Sequence, residues 1–234
     1  MADKLSSTLE QAVIFDLDGT LVDTLPDLQH ALNRVLKEEG LELLETAETR
    51  LMIGGGARNL IDLAFQRRLF KANQELIEDS FDRFVEYYRS ETTARSNVFP
   101  GVIEFLLTLK NKGVGMGICT NKPQDLAEKV LEELEIRHFF GEAVIGGDAL
   151  ASKKPDPAHL LAVIDKAGGI RENSFMIGDS ETDVGAARNA NIPIVVVDFG
   201  YTKLKPEELD ADKIISSFFE ALAALKSLGF RFSP

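Results

Sequence analysis

One local pattern constrains this chain more than any other: a short apolar, β-branched run that stops abruptly in a polar loop. Ala12-Val13-Ile14-Phe15 ends in Asp16-Leu17-Asp18-Gly19-Thr20, and Val114-Gly115-Met116-Gly117-Ile118-Cys119 ends in Thr120-Asn121-Lys122-Pro123. Ser174-Phe175-Met176-Ile177 ends in Gly178-Asp179 in the same way. Runs without polar alternation suit strands covered on both faces, the condition of a parallel sheet. Val144-Ile145 and Ile194-Val195-Val196-Val197 are two further strand candidates. Between them, apolar residues at three- and four-residue spacings predict helices over 102–112, 123–134, 157–167 and 183–190. Such alternation predicts an α/β fold, a doubly wound, Rossmann-like parallel sheet with helices on both faces.

The stretch from Thr24 to Asn97 breaks this pattern. It carries helical periodicity over 25–39, 57–70 and 74–90 and no good strand, and Pro100-Gly101 marks the return to the core. The expected organisation is a core domain of residues 1–23 and 98–234 with an inserted α-helical cap of residues 24–97. Phe81, Phe84, Val85 and Tyr88 recur at helical spacing and are expected to form the interior of that cap.

Ligands of open parallel sheets bind beyond the carboxyl ends of the strands. Four polar clusters fall there: Asp16/Asp18/Thr20, Thr120/Asn121, Lys153/Lys154 ahead of Pro155, and Asp179/Asp183. Gathered carboxylates repel unless a cation joins them, and a lysine and a hydroxyl suit phosphate oxygens. Metal plus phosphate satisfies both halves. Taken singly, Asp179/Asp183 reads as a helix cap with a solvated acid, and Lys154 as a surface lysine before a turn; their conjunction with Asp16 favours a site. A calcium loop is excluded because glycine stands fourth and the twelfth residue is Asp27. Gly54-Gly55-Gly56-Ala57-Arg58 lacks the Gly-Lys-Ser/Thr ending and preceding strand of a phosphate loop, and His30, His138 and His159 show no zinc spacing.

A formal charge of -12 repels nucleic acid and anionic lipid, so neither is an expected partner. A small phosphorylated metabolite is. Cys119 is the single cysteine, the segment Met1 to Gln11 is polar, and no apolar run approaches bilayer-spanning length. Cytoplasm is the expected location.

With these residues in view, the chain resembles the phosphatase branch of the haloacid dehalogenase superfamily. Its first motif, Asp-x-Asp-Gly-Thr, is matched by Asp16 to Thr20; the second, Thr or Ser after an apolar strand, by Thr120. The third, a Lys before Pro, is matched by Lys154, and the fourth, Gly-Asp-x-x-x-Asp, by Gly178 to Asp183. The insertion resembles that family's helical cap. The resemblance implies a Mg²⁺-dependent phosphomonoester hydrolase in which Asp16 attacks phosphorus and Asp18 is the acid and base. Proton donation by Asp18 requires a carboxyl that neighbouring negative charge keeps protonated. Asp16, Asp179 and the main-chain carbonyl of Asp18 are the implied metal ligands, with Asp183 orienting a water or Lys154. Thr120, Asn121 and Lys154 are implied to meet the phosphoryl oxygens, with Thr20 beside them; Lys153 is expected to point elsewhere.

Gly200-Tyr201-Thr202 and the segment Met52 to Ala57 look like the phosphoglycolate phosphatase subgroup, implying 2-phosphoglycolate as substrate. Arg58, after the glycine run, is expected to meet its carboxylate. A sugar-phosphate phosphatase or a phosphomutase would use the same Asp16 and Asp18. A phospho-receiver module has neither the insertion nor the second carboxylate, and a true dehalogenase lacks Asp18.

Overall fold

The computed structural model describes residues 10–232. Most of the polar N-terminal segment read above therefore lies outside the described residues. The central sheet has six parallel strands: β1 (Ala12–Phe15), β4 (Gly115–Cys119), β5 (Val144–Ile145), β6 (Ser174–Gly178), β7 (Ile194–Val197) and β8 (Lys213–Ile215), in spatial order β5-β4-β1-β6-β7-β8. The chain builds outward from β1 on one side, then crosses to build on the other. That reversal makes the sheet doubly wound, as expected.

Side chains alternate between the two faces. Val13 and Phe15 join one apolar cluster with α5 (Val102–Asn111), α6 (Gln124–Glu133) and α9 (Ala221–Ser227). Ala12 and Ile14 join the other with α7 (Pro157–Lys166) and α8 (Glu181–Ala190). Every residue of β1 is fully buried, which is why its sequence shows no polar alternation. Register fixes the functional edge. Phe15 stands opposite Ile118 and Ile177, so the chain leaves all three strands within one or two residues of the same level.

A second sheet is only two strands: β2 (Val22–Asp23) pairs antiparallel with β3 (Asn97–Val98), Val22 opposite Val98 and Asp23 opposite Asn97. The intervening chain forms α1 (Leu25–Glu38), α2 (Thr46–Arg50), α3 (Ala57–Arg67) and α4 (Gln74–Ser90), with α1 and α3 packed on α4. Pro26 opens α1, where its missing N–H costs nothing, and the side chain of Asn73 caps α4 by accepting from Leu76 N. Leu28, Leu32, Val35, Leu60, Ile61, Phe65, Phe84 and Tyr88 face inward. Among the described residues no helix is long and apolar enough to cross a membrane.

Candidate active site

The site is built on the loops that follow β1, β4 and β6, and on the turn ahead of α7. Asp16, Asp179 and Asp183 each place a carboxylate oxygen within 4.8 Å of the others, and all three are buried. Lys154 enters this cluster with its Nζ 2.7 Å from Asp16 Oδ1 and 2.7 Å from Asp183 Oδ1. Three carboxylates against one ammonium leave two formal negative charges in an interior position. A divalent cation balances that count.

The individual oxygens divide the labour. Asp183 Oδ2 accepts from Asp179 N at 3.1 Å, Ser180 N at 3.0 Å and Ser180 Oγ at 2.6 Å, closing the first turn of α8, while Oδ1 holds Lys154. Both Asp183 oxygens are occupied. Asp179 accepts from Thr20 Oγ1 at 3.2 Å and from Tyr201 N at 2.6 Å. Asp16 Oδ1 is buried and, although its ion pair with Lys154 is short, no hydrogen-bond donor is aligned on it. An acceptor left in that state fits a metal ligand.

Burial is the main cause that pushes the Asp16 carboxyl up to about 7, opposed by Lys154 and assisted by Asp183 and Asp18. Asp179 is likewise raised well above the carboxylate range, by burial and then by Asp183 and Asp16. Burial disfavours the Lys154 charge, yet Asp16 and Asp183 together hold its pKa above the usual lysine value. His159 supports the same lysine from behind: Lys154 N donates to His159 Nδ1 at 3.2 Å, which leaves the proton on Nε2 to reach Ile145 O at 3.2 Å. Burial, with the nearby Lys154 charge, lowers His159 to about 4, so it stays a neutral hydrogen-bonding ring.

Asp18 stands apart from the triad. Thr24 Oγ1 donates to its Oδ1 at 2.7 Å, and Lys122 Nζ lies 3.0 Å from Oδ1 and 3.3 Å from Oδ2. Lys122 also donates to Tyr88 OH at 3.0 Å. Negative charge is the neighbour expected for Asp18, and the Lys122 cation beside it departs from that expectation. Gly19 is required by contact as well as by φ, +84°: a Cβ there would strike Asp179 Oδ2 and the Tyr201 ring.

Asp16 and Asp18 open onto a cleft between the core and the helical segment. Thr120, Asn121, Lys122 and Pro123 line its core side; Leu28, Ile53, Gly54, Gly56, Ala57, Leu60, Phe84 and Tyr88 line the helical side. Phe84 and Tyr88, read from spacing as interior residues only, thus also form the cleft wall. Thr120 Oγ1 accepts from Lys122 N, leaving its proton for the cleft. Both Asn121 amide hydrogens are spent, on Gly54 O and Lys154 O at 3.1 Å each, while Asn121 Oδ1 is buried without a partner. Asn121 therefore ties the glycine run to the core instead of donating into the cleft. Thr20 likewise spends its hydroxyl on Asp179. Lys153 points to Gly55 O at 3.4 Å, outside the triad.

Arg58, expected to meet the substrate's carboxylate, rests away from the cleft in this structure. Its Nε donates to Glu78 Oε2 at 2.9 Å, its guanidinium lies 3.7 Å from the Phe81 ring centre, and its side chain is 56% exposed. It is absent from the cleft wall because an acidic and an aromatic residue of α4 offer it a nearer resting place. Arg50 carries no sequence signal, and Tyr201 is legible only as part of the subgroup resemblance, with no contact assigned to it. Arg50 of α2 donates to Phe199 O at 3.0 Å and Gly200 O at 2.8 Å. Tyr201 donates its hydroxyl to Asp23 Oδ1 at 2.5 Å and accepts from Leu25 N at 3.0 Å, while its backbone N–H holds Asp179. One tyrosine thereby joins the carboxylate cluster to the start of α1.

Comparison with known proteins agrees with this geometry. A family model described as haloacid dehalogenase-like hydrolase matches residues 13–197. A protein from Agrobacterium fabrum named phosphoglycolate phosphatase is 40% identical over 220 residues, covering 94% of each chain. One of the same name from Caulobacter vibrioides is 42% identical over 216 residues, covering 92% of this chain and 91% of its own. Among solved structures, one titled a predicted phosphoglycolate phosphatase from Haemophilus somnus superposes with a TM-score of 0.84 at 29% identity, over 95% of this chain and all of its own.

Proposed function

The chain belongs to the haloacid dehalogenase-like hydrolase family, and from that premise we propose that it is a Mg²⁺-dependent phosphomonoesterase that forms an aspartyl phosphate on Asp16 and hydrolyses 2-phosphoglycolate. The observation that carries the reaction type is the buried Asp16/Asp179/Asp183 triad, with Lys154 bridging Asp16 and Asp183. The names of the relatives in Agrobacterium and Caulobacter motivate the substrate.

Asp16 and Asp179, with the main-chain carbonyl of Asp18, would hold the ion; Asp183 has no oxygen left for it and acts as a positioning residue for Lys154. When bound, Mg²⁺ supplies positive charge to the phosphoryl oxygens and keeps Asp16 ionised at neutral pH. An Asp16 oxygen attacks phosphorus, forming a P–O bond to the carboxylate as the bond to the leaving alkoxide breaks. Asp18 gives that alkoxide its proton. In the second half, a water attacks the same phosphorus, Asp18 takes back a proton, and the bond to Asp16 breaks to release phosphate. The Lys154 ammonium and the Thr120 hydroxyl face the charge that spreads over the transferring oxygens. Residues 24–97 would serve as the cap that excludes water, joined to the core of residues 1–23 and 98–234 through β2 and β3.

The test is a panel of small phosphomonoesters with Mg²⁺, ranked by kcat/KM. 2-Phosphoglycolate is expected to rank first. A stronger preference for a sugar phosphate removes the substrate assignment, and silence on every ester removes the phosphatase.

A further inference from the structure

With Arg58 held on the outside by Glu78, the far end of an anionic substrate needs another partner. Among the described residues the cleft wall offers one cation, Lys122; the side chains on its helical side are otherwise Leu28, Ile53, Ala57, Leu60 and Phe84, with the hydroxyl of Tyr88 as the polar exception. Lys122 is 5% exposed and Tyr88 1% exposed. The Lys122 ammonium can only donate, so in its 3.0 Å contact the Tyr88 oxygen is the acceptor. The hydroxyl proton of Tyr88 is then free to donate in its turn, and burial keeps that proton on the oxygen at neutral pH. The Lys122 ammonium also faces Asp18 at 3.0 Å, and with the unspent O–H donor it stands against an otherwise apolar helical side, an arrangement that suits a small carboxylate and offers little to a polyhydroxylated sugar.

Resting on the phosphatase reading above, we infer that Lys122 and Tyr88 form the subsite that recognises the substrate's second anionic group, a carboxylate close to the phosphoryl ester. The pair spans the cleft, Lys122 following β4 in the core and Tyr88 standing on α4. Recognition of the carboxylate therefore also rewards closure of the helical segment over the bound molecule. The competing explanation is that Lys122 only neutralises Asp18, with Tyr88 as its buried support.

The two explanations separate in the ratio of kcat/KM for 2-phosphoglycolate to that for ethyl phosphate, measured with Mg²⁺ in the wild type, Tyr88→Phe and Lys122→Gln. Tyr88→Phe removes one oxygen and leaves the Lys122–Asp18 contact in place. The ratio should fall about tenfold in Tyr88→Phe and further in Lys122→Gln, as for loss of a hydrogen bond to a charged group. Equal losses on both esters in Tyr88→Phe overturn the inference, even if Lys122→Gln proves too unstable to assay. A wild type that hydrolyses ethyl phosphate as well as 2-phosphoglycolate also overturns it and leaves the phosphatase standing. A wild type inactive on both esters and on p-nitrophenyl phosphate removes the parent reading, and this one with it.

Discussion

Lys154 Nζ donates to Asp183 Oδ1 at 2.7 Å while facing Asp16 at the same distance, so one ammonium is shared by two buried carboxylates. Removing it strands three acids around an apolar gap. Lys154→Met should cost about 3 kcal/mol or more of stability in the metal-free protein at pH 8, as for other broken buried pairs. Its kcat/KM should fall about a hundredfold or more, the scale of a lost donor to a transition-state oxyanion. Urea unfolding and steady-state kinetics measure the two; a variant as stable as wild type would show that the acids do not depend on this lysine.

Asp16→Asn tests the nucleophile from the opposite direction. Turnover should be abolished, because an amide neither attacks phosphorus nor anchors the ion. The metal-free protein should become more stable above neutral pH, since the substitution keeps the shape and discards a charge that burial disfavours. Retention of a tenth of the activity would exclude the aspartyl phosphate.

The same burial sets a pH dependence whose sign is fixed. Asp16 has a folded pKa of about 7 against an ordinary value of 3.8, so between those limits the folded state binds more protons than the unfolded one. Stability of the metal-free protein is full below about pH 4 as far as this group is concerned, and is lost as pH rises through about 7. On the proposed reading Mg²⁺ takes the place of that proton. Its stabilising shift in Tm should be larger at pH 8 than at pH 5, and equal shifts at the two would disconnect the ion from Asp16.

Arg58→Ala should change kcat/KM less than about twofold on either ester. The ion pair with Glu78 is exposed, and such pairs contribute about 0–1 kcal/mol. A selective loss on 2-phosphoglycolate would return Arg58 to the cleft and weaken the case for Lys122 and Tyr88.

Five of the six strands of the main sheet were legible because burial on both faces leaves little room for polar residues, Ser174 of β6 being the exception. β8 was not: Lys213 and Ile214 are exposed and only Ile215 is buried, so an edge strand of three residues carries no signature. β2 and β3 are too short for any periodicity, and α2 (Thr46–Arg50) has Ala47 as its one apolar residue. In the site, Asp16, Asp179, Asp183 and Lys154 were readable from motif and position, and the fold brings them together. Asn121, Thr20 and Arg58 went to other partners because hydrogen-bond capacity is settled by whichever group lies nearest in space. Tyr88 and Lys122 meet across 34 positions of sequence, a separation that no local spacing rule reaches.

The antiparallel pair Val22–Asp23 and Asn97–Val98 has an implication for descent. Because the helical segment departs and returns through residues that face one another, its length and content make no demand on the register of the six-stranded sheet. The entropic cost of a longer excursion grows only with the logarithm of its length. Lineages carrying this sheet are thereby free to exchange the wall that selects a molecule while inheriting the acids beneath it unchanged. Arg50, Tyr201, Asn121 and Lys122 limit that freedom, since each bonds across the junction, and a transplanted segment would have to bring partners for them.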